Sequence, residues 1–154
     1  MKTIRTIFSV GIAAVAFAAW ADENEGAKKE LTQLQGEWVM VSGSADGQPM
    51  PEEMLKRMKR VCKGDEITVM MGDQIFIKAK ITLDPSSKPK TIDYQMLEGF
   101  TKGKKQLGIY ELEGDKFKSC FAAPGAERPK DFTSQSGDQR TVSVWKRQKE
   151  ATLR

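Results

Sequence analysis

The stretch Gly108-Ile109-Tyr110-Glu111-Leu112-Glu113-Gly114-Asp115-Lys116-Phe117-Lys118-Ser119 reads as a β-hairpin in one register. With Gly114-Asp115 as the two loop residues, Glu113 faces Lys116 and Glu111 faces Lys118, while Leu112 faces Phe117 and Tyr110 faces Ser119. Opposite charges pair on one side and mostly apolar groups on the other, and a slip by one residue loses both sets together. The same two-residue period runs outward from this hairpin. Ile75, Ile77, Ala79, Ile81 and Leu83 alternate with Phe76, Lys78, Lys80 and Thr82 until Asp84-Pro85 ends the strand. Beyond that loop Ile92, Tyr94 and Met96 alternate with Thr91, Asp93 and Gln95.

Further strands are expected at 36–42, 66–71, 106–112, 116–122 and 140–146, with short pieces at 60–62 and 131–133. Gly72-Asp73 resembles the Gly114-Asp115 turn. Pairing Met71 with Gln74 there sets Val69 opposite Phe76, on the wrong face, so a bulge or a different loop is expected. Helix is expected in two places. Segment 27–35 carries Leu31 and Leu34 on one side and stops at Gly36. Segment 51–60 opens with Pro51, Glu52 and Glu53 and closes with Lys56, Arg57, Lys59 and Arg60, the charge order that suits a helix dipole, with Met54, Leu55 and Met58 as its apolar stripe.

About eight antiparallel strands in one all-β domain must hide their edges, and closure into an up-and-down barrel does so most completely. A two-sheet sandwich is the structural rival. Residues 1–21 stand outside this fold: Lys2 and Arg5, an apolar run from Ile7 to Ala19, and Ala19-Trp20-Ala21 before an acidic segment form a secretory signal peptide. The run is too short for a membrane span, which needs about 20 residues. Cleavage is expected after Ala21, with Ala16-Phe17-Ala18 as the alternative site. The expected organisation is therefore a signal peptide at 1–21, an N-terminal helical segment at 22–35, the barrel at 36–148 and a polar tail at 149–154. The product is periplasmic or extracellular, with no stable membrane anchor after cleavage.

The 154-residue chain contains no histidine, which removes Ser-His-Asp and Cys-His catalysis, His-containing zinc sites and histidine pH switches. Loss of Lys2 and Arg5 takes the 25 Lys and Arg to 23 against 21 Asp and Glu, so the mature chain is nearly neutral. Its lysine clusters lack an aromatic-basic motif, and no nucleic-acid partner is expected. The aspartates that adjoin glycines are turn residues rather than metal ligands. No catalytic residue, metal or cofactor is assigned.

The ordered set Leu34-Gln35-Gly36-Glu37-Trp38, Asp46-Gly47, Pro89-Lys90-Thr91-Ile92-Asp93, 108–115, Cys120, and Glu127-Arg128-Pro129 with Phe132 resembles an uncharacterised lipocalin-like secreted domain family abundant in planctomycete bacteria. The Gly-x-Trp start is similar to that of lipocalins. The resemblance implies that Trp38 closes one end of a barrel beneath a basic residue of the last strand, Lys146 or Arg147. It implies no activity, and ligand binding follows from it only by analogy of fold. A helix between the first and second strands, here 51–60, is similar to the lid segment of fatty-acid-binding relatives.

The candidate ligand-binding residues are Trp38, Met40, Ile77, Tyr94, Met96, Tyr110, Phe117 and Arg128. The other residues assigned inward are Ile67, Val69, Ile75, Ile81, Ile92, Leu112, Phe121, Val142 and Val144. An eight-stranded barrel either fills with such side chains or holds one small ligand. Arg128 either meets a ligand carboxylate or braces its loop through Asp131 or Asp93. Cys62 and Cys120 either form a disulfide, as an oxidising compartment favours, or stay separate thiols. Two functions follow: non-enzymatic binding of a small apolar ligand, or a packed barrel that serves as a protein-interaction, inhibitor or structural envelope module. The corresponding partners are a small hydrophobic ligand or an exported protein.

Overall fold

Alternation of apolar and polar residues produces nine strands in the computed structural model of the protein, which describes the backbone of residues 14–149 and the side chains of 24–149. They are β1 (Gly36–Ala45), β2 (Gln48–Pro49), β3 (Met58–Lys63), β4 (Glu66–Met71), β5 (Gln74–Asp84), β6 (Lys90–Glu98), β7 (Lys105–Glu113), β8 (Lys116–Phe121) and β9 (Thr141–Arg147). Two helices accompany them, α1 (Ala14–Leu34) and α2 (Glu52–Leu55). Each long strand pairs antiparallel with the next, and β9 returns to β1, which closes an eight-stranded barrel. Strand β2 only prolongs the far end of β1. The sandwich is thereby excluded. The whole of the expected signal peptide, and all but the first residue of the expected tail, lie outside the residues whose side chains are described.

The Gly114-Asp115 hairpin has the expected register, with Glu113 opposite Lys116, Glu111 opposite Lys118, Leu112 opposite Phe117 and Tyr110 opposite Ser119. Gly114 takes a φ of 56°, which suits a glycine at the first loop position of a tight hairpin. At Gly72-Asp73 the bulge is real. Met71 pairs with Gln74 and Met70 with Ile75, but Val69 pairs with Ile77, so Phe76 is the extra residue. The bulge also corrects the inward assignment of Ile75, which shares the outer face with Met70 and is 47% exposed. A second bulge at Val41 lies between the Met40–Trp145 and Ser42–Val144 pairs.

Three other expectations are corrected. Helix covers only Glu52–Leu55 of segment 51–60, and Met58 to Lys63 is a strand whose Met58, Arg60 and Cys62 are buried in alternation. Charge order supports a helix end by only about 0.3–1 kcal/mol; the ladders to β1 and β4 outweigh it. Segment 131–133 forms no strand, because Asp131 Oδ1 accepts from the Thr133 backbone N–H at 3.2 Å in a local turn. In β9 the inward residues are Ser143 and Trp145, with Val142 and Val144 half-buried on the other face. Register decides this point: Ser143 stands opposite Ser119 and Trp145 opposite Phe117, both inward on β8.

The barrel has one closed and one open end. At the closed end Leu34 and Trp38 are fully buried, and the Trp38 indole donates to the Leu34 carbonyl oxygen at 2.9 Å. Arg147 is the basic residue over that indole; Lys146 is exposed. Glu30 of α1 accepts from the Tyr110 hydroxyl at 2.6 Å and pairs with Lys90. The opposite end is bounded by Met50, the Gly72-Asp73 turn and the β6–β7 loop that carries Phe100.

Candidate functional site in the barrel interior

Inward residues of all eight barrel strands and of two loops surround a cavity of about 230 Å³. Between it and the closed end lies an aromatic layer that does not itself line the space. Trp38 meets the Phe117 ring edge-on at 6.1 Å between centroids, and Tyr110 lies 6.1 Å from the same ring on another side. Above this layer the walls are apolar at Met40, Met50, Met58, Val69, Phe76, Ile77, Phe121 and Trp145, and polar at Arg60, Tyr94, Gln106, Ser119, Thr141 and Ser143. Phe100 and Thr101 stand at the mouth. Gly43 makes room there: a Cβ on it would lie 2.6 Å from Met50 Sδ and 3.2 Å from Met40 Sδ.

Arg60 is the unusual member of this lining. It is 1% exposed, its Cζ lies 4.5 Å from the Phe117 centroid, and its Nη1 donates to the Tyr94 hydroxyl. Its Nε and Nη2 are buried without a partner among the described residues. A guanidinium does not deprotonate in a protein, so a full positive charge sits inside the barrel. Burial of an ion costs several kcal/mol unless a counter-charge compensates it. The cation–π contact with Phe117 returns about 2 kcal/mol or more when desolvated, and leaves two donors unmet.

Tyr94 stacks on Phe121 at 4.1 Å between centroids. Burial raises its pKa and the Arg60 charge only partly offsets this, so Tyr94 remains a phenol that accepts from Arg60 and keeps its own proton to donate. Ser143 Oγ accepts from the Trp145 indole at 2.8 Å and lies 3.1 Å from Ser119 Oγ. Larger hollows of about 380 and 530 Å³ lie outside the barrel, beside Ile75 and along Lys104, Lys105 and Pro124. They are open surface grooves without a buried charge, so the smaller interior space is the candidate site.

Of the residues singled out in the sequence, Met40, Ile77 and Tyr94 line this cavity. Trp38, Tyr110 and Phe117 are buried at its closed end, and Met96 is buried in the wall without lining the space. Arg128 is elsewhere: its Nη1 donates to Asp93 Oδ1 at 2.6 Å and to the Gly108 carbonyl at 2.7 Å, the bracing role through Asp93. The disulfide is absent. Both thiols are free; Cys62 points inward on β3, whereas Cys120 points outward on β8 beneath the Thr133 carbonyl.

Arg60, Ser119, Ser143, Trp145 and Phe100 were not legible as site residues. Arg60 sits in a run of surface-type cations, and its only signal is the alternation Met58, Arg60, Cys62 across a strand that begins earlier than expected. Neither the family models, the curated proteins nor the solved structures contain a match to this chain.

Proposed function

We propose that the protein is an exported, lipocalin-like, non-enzymatic module that binds a small, largely apolar molecule inside its barrel. The observation that carries this reading is the interior cavity, closed by aromatic side chains at one end and open beside Met50 and Phe100 at the other. The signal-peptide pattern at 1–21 supports export, and the resemblance to the lipocalin-like planctomycete family supports a binding role by fold alone. At about 230 Å³ the cavity is smaller than the ~300 Å³ where drug-sized sites begin, so the ligand is small.

Native mass spectrometry of protein isolated gently from its own exported fraction tests the reading. A reproducible mass excess that disappears on denaturation is expected. A bare chain mass, repeated after incubation with a lipid extract, overturns it and favours the alternative, a barrel used as an interaction module. The exposed Phe100 and Ile75 at the open end then become the surface to examine, because they are large apolar side chains left in water.

A further inference from the structure

We infer that the interior ligand is a small carboxylic acid, bound as its carboxylate against Nε and Nη2 of Arg60. The inference deepens the binding reading and rests on it. Nε–H and one N–H of Nη2 point the same way from the guanidinium plane and form the side-on fork that matches the two oxygens of a carboxylate. In Arg60 this is the edge left without partners, because Nη1 is taken by Tyr94. Arg60 belongs to the cavity wall, and this edge of its guanidinium is shut off from bulk water.

Charge narrows the class further. Among the described residues Arg60 is the one charged side chain lining the cavity, so a monoanion neutralises the site, whereas a phosphate dianion leaves an uncompensated charge in an apolar enclosure. The rest of the ligand meets Met40, Met50 and Met58, whose unbranched thioethers adapt to different chains. A 150 Å³ cavity is known to hold benzene; by proportion this cavity takes about nine heavy atoms, the size of a medium-chain fatty acid or a monocyclic aromatic acid.

The test compares sodium octanoate with 1-octanol, which shares the chain and lacks the charge. Binding is followed by tryptophan fluorescence and by the ligand-dependent rise in melting temperature of the whole mature protein. Octanoate is expected to bind at least about tenfold tighter than 1-octanol, the effect of a charge-assisted pair of hydrogen bonds. In R60M the preference is expected to vanish or reverse. If wild-type protein binds 1-octanol as tightly as octanoate, or R60M keeps the preference, the carboxylate anchor is wrong while the binding reading stands. If neither compound binds, and a general apolar dye also fails to enter, both fall. The wild-type comparison decides the matter even if R60M does not fold, and R60Q supplies a second uncharged variant.

Discussion

Arg147 holds its Cζ 4.3 Å from the Trp38 ring centroid while its Nη1 donates to the Gln35 carbonyl oxygen at 2.6 Å. A second donation reaches the Gln33 carbonyl, and Nε meets Asp115 Oδ1 at 3.1 Å. One side chain of the last strand thus joins the first strand, the end of α1 and the Gly114-Asp115 turn. It satisfies carbonyl groups left over at the helix terminus, where no intrahelical donor remains.

R147M should therefore lower the unfolding free energy by about 1–3 kcal/mol, the combined effect of a lost cation–π contact and of helix-end carbonyls left with fewer donors. R147K should recover part of the loss, since an ammonium keeps the charge but not the planar fork. Urea denaturation followed by tryptophan fluorescence measures both. Equal stability of all three proteins would mean that the closed end is held by hydrophobic packing alone.

Ser143 and Ser119 make a sharper pair. Ser143 Oγ is the acceptor for the buried Trp145 indole N–H, and Ser119 lies beside it without that duty. S143A leaves a donor stranded and should cost about 1–3 kcal/mol, whereas S119A should cost less, about 0.5–1.5 kcal/mol. Thermal unfolding of the two variants side by side checks the order, and a larger loss for S119A would contradict the assigned geometry.

The fold was legible because strand pairing leaves marks that local chemistry imposes. The Glu111–Lys118 and Glu113–Lys116 pairs fix one hairpin, and Val69 facing Phe76 signalled a bulge. The site was less legible, because inward polar residues carry no mark of direction. Val142 and Val144 are more apolar than Ser143, yet Ser143 is the inward one, since register against Ser119 and Phe117 is set across strands and not along one. Arg60 was hidden for the same reason. Its neighbours Lys56, Arg57, Lys59 and Lys63 read as a solvated face, and only the closed sheet turns Arg60 away from them.

The thiols should be inert in the folded chain. Burial pushes Cys120 from its ordinary value of 9.0 up to about 11 and also raises Cys62, so little reactive thiolate exists at pH 8. A thiol reagent should label neither residue in native protein and both after unfolding without reductant. The pH dependence follows from the same shift. Between pH 9 and about 11 the unfolded chain releases the Cys120 proton while the folded chain keeps it, so the unfolded state binds fewer protons and stability falls as pH rises. Denaturation midpoints from pH 8 to 11 test the sign in wild type against C120S, where this contribution to the fall should be absent.

Arg60 in the barrel wall and Arg128 in the loop after β8 provide the final contrast, since the two arginines have opposite settings. Arg128 is paired with Asp93 at 2.6 Å, caps the Gly108 carbonyl and lies off the cavity, whereas Arg60 lines the cavity and has two donors unpaired. R128M should lower stability, because Asp93 and the Gly108 carbonyl lose a shared donor, and should leave octanoate affinity unchanged. R60M should do the reverse. Removal of a buried charge that no carboxylate compensates is expected to raise stability by about 1–4 kcal/mol while the preference for octanoate is lost. Unfolding curves and octanoate titrations on the two variants measure both effects. A loss of octanoate affinity in R128M equal to that in R60M would show that the ligand's charged group is held near Asp93 and Gly108 rather than inside the barrel.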